Sequence, residues 1–122
     1  MRILVVEDDP SVRALLVADL ELAGHEVEAV EHGTAGLASV AASTPDAVVC
    51  DVMMPEVSGW DVVRTLRADE RWKRLPVVLL TARDTTDDVR HGYEAGASLV
   101  LSKPYDAGKL DEVLTALVSM QR

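Results

Sequence analysis

The chain has no phenylalanine and only two tryptophans and two tyrosines, so Val, Leu and Ala must fill its interior. A single cysteine, Cys50, excludes an internal disulfide. Bases are scarce: 12 Lys and Arg stand against 21 Asp and Glu, a formal net charge of −9. A free-standing binder of polyanions normally carries a basic face. Direct binding of nucleic acid or of an anionic membrane is therefore not expected, whereas cations and basic partner surfaces suit the balance. No apolar run approaches the ~20 residues of a membrane span. Met1-Arg2 leads straight into apolar residues and acids, without a signal-peptide pattern. The expectation is a reduced, cytoplasmic compartment. Low-complexity segments, Ser/Gly linkers and internal repeats are also missing, so residues 1–122 read as one domain. The 48% apolar content excludes disorder, and a chain of this length buries roughly two-thirds of its unfolded surface.

What the chain does have is alternation. Short β-branched runs recur at 3–6 (ILVV), 47–50 (AVVC), 77–80 (VVLL) and 99–101 (LVL). Each is too short for a helix and lacks polar alternation, which predicts strands buried on both faces. A fifth run, 26–30 (EVEAV), alternates and fits an edge strand. Helical signals lie between them. Asp9-Pro10 is an N-cap followed by Pro at the first helical position, and Val12, Leu15, Leu16 and Leu20 form the apolar face of a helix stopped by Gly24. Further helices are expected over 34–43, 59–68 and 86–95. The last carries Leu110, Val113, Leu114, Leu117 and Val118 on one face, with Asp106 as its cap. Strands alternating with helices predict an α/β fold: a doubly wound, five-stranded parallel sheet with five helices. Order 2-1-3-4-5, the flavodoxin-like arrangement, is the favoured one, with ligands bound beyond the carboxyl ends of the first and third strands.

Chemistry gathers at those ends. Glu7-Asp8-Asp9 follows the first run, Asp51 the third, Thr81-Ala82 the fourth and Lys103-Pro104 the last. Carboxylates converging on one pocket repel one another unless a cation joins them. Oxygen-only ligands favour a hard divalent ion, Mg2+ or Mn2+. An ammonium and a hydroxyl beside it suit an anion, and a metal, an anion cradle and one aspartate together suit phosphoryl transfer.

At these residues the sequence resembles the receiver domain of two-component response regulators. The resemblance rests on VVEDD near the start, DVMMPEVSG from Asp51, LLTAR ending at Arg83, EAGA at 94–97 and SKPY at 102–105, all in order and covering nearly the whole chain. It implies that Asp51 is the phosphoacceptor, attacking the phosphorus of a kinase phosphohistidine. Asp8 would bind Mg2+ directly, Glu7 through metal-bound water, and Asp51 with the backbone carbonyl of Met53 would complete the protein's ligands. Thr81 would hydrogen-bond a phosphoryl oxygen beside the small Ala82. Lys103 would pair with Asp51 and later with the phosphoryl group, oriented by a cis peptide before Pro104. The implied partners are a histidine kinase or phosphotransfer protein, a downstream output domain or protein, and a phosphorylation-dependent dimer. The domain would catalyse only its own phosphorylation and dephosphorylation, not turnover of a substrate.

Departures from the family pattern are also legible. Val100 stands where many receivers carry an aromatic switch residue. Met53 and Arg83 flank the approach to the phosphoryl group and leave its lifetime open. The last helix lacks the charge pattern of receivers that dimerise ahead of a winged-helix domain, which counts against that architecture. The alternative from another class is a receiver-like interaction module that no longer needs phosphate. A flavin or nucleotide binder would need a Gly/Ser/Thr-rich loop where Glu7-Asp8-Asp9 stands, and a turnover phosphatase has no evident general acid. The bland readings are a solvated connector for 71–74 (RWKR), surface positions for His25, His32 and His91, loop packing for Met53 and Met54, and inert packing for Cys50.

Overall fold

Five short strands with one or no charged residue in each central member can be buried only if helices cover both of their faces. The computed structural model, which describes residues 1–82 and 85–121, resolves the chain in that way. The strands are β1 (Arg2–Val6), β2 (Glu26–Val30), β3 (Ala47–Asp51), β4 (Val77–Thr81) and β5 (Leu99–Ser102). They form one parallel sheet ordered β2-β1-β3-β4-β5. The helices are α1 (Pro10–Leu22), α2 (Gly33–Ala42), α3 (Gly59–Ala68), α4 (Thr86–Ala95) and α5 (Ala107–Ser119), with a 3-10 turn at Glu70–Trp72.

Side chains alternate across each strand, so one core lies on each face. Leu4, Val6, Val48, Cys50 and Leu79 meet Val62, Val63 and Leu66 of α3 on one side. Ile3, Val5, Val49, Val78 and Leu80 meet Leu16 and Leu20 of α1 and Leu110 and Leu114 of α5 on the other. Asp9 caps α1 by accepting from the Ser11 and Val12 amides, with Pro10 at the first helical position. Asp106 caps α5 through the Lys109 amide.

Several expectations are corrected. Leu15, assigned above to the buried face of α1, is 55% exposed. Leu16 and Leu20 alone hold that helix to the sheet as fully buried residues. β5 is not buried on both faces, because it closes the sheet and its Leu99, Val100 and Leu101 are only half-buried. The 71–74 connector is not simply solvated: Trp72 is buried, its Nε1–H donates to Thr44 Oγ1 across 3.1 Å, and the Arg71 guanidinium stacks on its ring. Of the histidines, His32 is exposed as expected and caps α2, whereas His25 and His91 are half-buried, His25 Nε2 meeting Asp111 Oδ1 and His91 stacking on Trp60 with ring centroids 4.0 Å apart. Met53 is half exposed rather than packed, while Met54 is buried.

Candidate functional site

Parallel strands point their carboxyl ends to one edge, and the register brings the ends of β1, β3, β4 and β5 level. Val6 lies beside Cys50, Asp51 beside Leu80 and Thr81 beside Ser102. The residues just beyond therefore share one shallow crevice. Glu7 and Asp51 are buried at 1% and 5% exposure, and Thr81 at 2%. Asp8 is half-buried beside them. Glu7, Asp8 and Asp51 each offer a carboxylate oxygen, all within 4.8 Å of one another.

The cation is Lys103. Its Nζ lies 2.9 Å from Glu7 Oε1 and 2.9 Å from Asp51 Oδ1. Its backbone N–H donates to the Thr81 carbonyl across 2.7 Å, which extends the β4–β5 ladder past Ser102. The Lys103–Pro104 peptide is cis. Asp51 is the partner that the resemblance implies; the second, Glu7, comes from the other side of the crevice and is 96 residues away in sequence.

One ammonium does not balance three carboxylates. Burial, with Asp51's charge adding to it against Lys103, pushes the Glu7 carboxyl from its ordinary 4.5 up to about 7. Burial works against the Lys103 charge, but its bonds to Glu7 and Asp51 outweigh that and hold the ammonium above its ordinary pKa. The same surroundings push the Cys50 thiol up, first by burial and then by the charges of Asp51 and Glu7, so the thiol is inert.

The donor set fits a hard divalent cation: the ligands are oxygen only, closely spaced, and short of positive charge. The direction of the Glu7 shift carries a stability consequence. A carboxyl bound more tightly to its proton in the folded state contributes stability below its unfolded pKa and loses it as pH rises through the folded one. The metal-free domain is therefore expected to lose stability between about pH 4.5 and pH 7 on account of Glu7. Urea unfolding at pH 5.5 and pH 8 measures the loss, and Glu7→Gln should flatten it. Mg2+ should restore more stability at pH 8 than at pH 5.5.

Gly59, the last residue of the DVMMPEVSG motif, also shapes the crevice, a role the motif alone does not assign. Gly59, the first residue of α3, donates its N–H to the Val52 carbonyl across 2.9 Å. A Cβ there would stand 2.3 Å from the Asp51 carbonyl oxygen and 2.9 Å from Val52 Cα. Gly59→Ala is expected to cost about 3 kcal/mol in urea unfolding and to displace Asp51, because backbone rather than a movable side chain blocks the methyl.

Of the remaining sequence candidates, Met53 and Ala82 are exposed at the rim, and Val100 is half-buried beneath α4. Arg83 lies outside the described residues.

The comparisons agree with this geometry. The family model described as the response regulator receiver domain matches residues 3–115. The chain is 41% identical over 122 residues to the transcriptional regulatory protein TcrA of Mycobacterium tuberculosis, covering all of this chain and 46% of that protein. It is 37% identical over 117 residues to the DNA-binding dual master transcriptional regulator RpaA of Synechocystis sp., covering 96% of this chain and 48% of the relative. The chain thus spans about half the length of these curated relatives. Among solved structures, a putative response regulator from Chloroflexus aurantiacus superposes with a TM-score of 0.92 at 31% identity, covering 97% of each chain. The receiver domain of a sensor histidine kinase from Pseudomonas aeruginosa, solved with a magnesium ion coordinated in its active site cleft, superposes with a TM-score of 0.90 at 30% identity, again over 97% of each chain. Sheet order, crevice and sequence match coincide, and the chain belongs to the response regulator receiver domain family.

Proposed function

We propose that the domain accepts a phosphoryl group on Asp51 from the phosphohistidine of a histidine kinase or phosphotransfer protein, and that the aspartyl phosphate alters the surface offered to an output domain or protein. The observation that carries this reading is the Lys103 ammonium, 2.9 Å from both Glu7 and Asp51 in a crevice that still has carboxylate charge to spare.

A carboxylate approaching a phosphoryl group meets like charge, so the site must supply positive charge where the transferring oxygens will lie. Bound Mg2+ (or Mn2+) would neutralise those oxygens, held directly by Asp8, Asp51 and the Met53 carbonyl and through water by Glu7. An Asp51 oxygen gives its electron pair to phosphorus as the bond from phosphorus to the donor's imidazole nitrogen breaks and that nitrogen keeps its pair. Lys103, already on Asp51 Oδ1, then lies beside the phosphoryl oxygens. Thr81 offers them its hydroxyl, and Ala82 leaves them room. The domain performs only its own phosphorylation and dephosphorylation, in the cytoplasm.

Thr81 closing on the phosphoryl group would pull on β4 and, through it, on α4. The contact from β5 to α4 has an unusual form. Val100 Cγ2 sits 2.6 Å from where a Cβ on Gly92 would stand, and the Val100 N–H donates to the Tyr93 hydroxyl across 3.2 Å. Close packing on a glycine and one bond from the backbone to the Tyr93 hydroxyl thus take the place of a rotating aromatic ring. That substitution is also the observation behind the second reading, an interaction module independent of phosphate.

Incubation with Mg2+ and a small phosphodonor, followed by intact mass, separates the two readings. One phosphoryl adduct with Mg2+, and none with excess chelator, is expected. No adduct under conditions that modify a known receiver would overturn the first reading.

A further inference from the structure

Arg13 stands in the first turn of α1, half-buried, and its Nη1 donates to the Glu7 carbonyl oxygen across 2.9 Å. In a chain with 21 acids, and with Glu31 lining the same cleft, this guanidinium makes no ion pair among the described residues. It is committed to a backbone carbonyl instead.

That carbonyl belongs to a residue held at each of its other polar atoms. The Glu7 N–H donates to the Val30 carbonyl across 3.1 Å. Glu7 Oε2 accepts from the Asp9 amide at 3.3 Å, and Oε1 from Lys103 at 2.9 Å. The Glu7 carbonyl lies in the plane of the peptide that leads to Asp8, and a peptide is rigid about its C–N bond. Fixing that oxygen fixes the amide and Cα of Asp8. The Asp9 carbonyl accepts from the Arg13 N–H in turn, so the acidic loop and the first helical turn brace each other.

We propose that Arg13 is a positioning residue of the metal site: its guanidinium clamps the Glu7 carbonyl and so aims the Asp8 carboxylate. The inference rests on the reading of Asp8 as a metal ligand. A charge role and a positioning role have opposite signs here. As a charge, Arg13 repels a cation, and its removal would tighten Mg2+ binding. As a clamp, it supports a ligand from behind, and its removal loosens binding, as the loss of outer contacts to metal ligands generally does.

The test uses Arg13→Met, which keeps the length and helix propensity of the side chain, and Arg13→Lys, which keeps the charge but not the planar fork. Calorimetric titration with Mg2+ should give roughly tenfold weaker binding for Arg13→Met and an intermediate value for Arg13→Lys. In metal-free protein, NMR-detected exchange of the Asp9 amide should speed up in Arg13→Met while the urea midpoint hardly moves. Unchanged or tighter Mg2+ binding, or unchanged Asp9 exchange, overturns the proposal. A wild type that binds no Mg2+ removes the proposed function itself, and the metal-free exchange still decides whether Arg13 holds the loop.

Discussion

Asp51→Ala is expected to give a folded domain that takes up no phosphoryl group and that, without metal, is more stable than the wild type at pH 8. The first half follows from chemistry: no other carboxylate among the described residues touches Lys103 except Glu7, which lies across the crevice. The second half follows from electrostatics. Asp51's charge is one of the causes that push Glu7 up to about 7, so at pH 8 two buried carboxylates share one ammonium. Removing Asp51 leaves Glu7 with Lys103 to itself, still 2.9 Å away in this geometry. The relief is on the order of 1–2 kcal/mol for charges this close at the rim of a protein. Intact mass after phosphodonor treatment reads the first effect, and urea unfolding in chelator at pH 8 reads the second. A variant that loses stability at pH 8 would contradict the picture of a crevice strained by like charge.

Lys103→Met should do the reverse to stability and nearly the same to chemistry. Glu7 and Asp51 are almost fully buried and would lose the one cation they share among the described residues. Removing one partner of a buried ion pair is costly because the other charge stays buried, and a loss of about 3 kcal/mol is expected at pH 8. At pH 5.5 the loss should shrink, since Glu7, with a pKa near 7, is then protonated. Phosphorylation by a small donor should slow by roughly 10²–10³, the usual effect of deleting one preorganised donor to a developing anion. Mg2+ binding should tighten, because the ammonium competes with the metal for the same oxygens. A rate loss without tighter metal binding would place Lys103 outside the crevice's charge balance.

The sequence made the strand ends legible because each central strand is a β-branched run that stops at its polar residue. Asp51, Thr81 and Lys103 needed only strand polarity to be brought together. The strand order was legible, but burial at the sheet's edge was not: β5 has the composition of a strand buried on both faces, yet at the edge it is only half-buried. Leu15 has the helical spacing of a core residue, yet it projects to solvent while its neighbour Leu16 is buried. Contacts between distant elements left no local trace: Glu7 with Lys103, His25 with Asp111, Trp60 with His91. Gly59 closes the DVMMPEVSG motif, but its need for a missing side chain comes from the Asp51 backbone and not from its own turn, so only the fold shows it. The charge pattern of α5 speaks only to receivers that dimerise ahead of a winged-helix domain, and the two regulators that the chain resembles are each about twice its length.

The most direct test locates the phosphoryl group. An acyl phosphate on an aspartate is reduced by borohydride to the corresponding alcohol, which marks the position permanently. Tandem mass spectrometry of the wild type after phosphodonor treatment and reduction should find that mark at residue 51 when Mg2+ is present, and at no residue when it is chelated. A mark at another carboxylate, or one at residue 51 that forms equally well without Mg2+, would contradict the account.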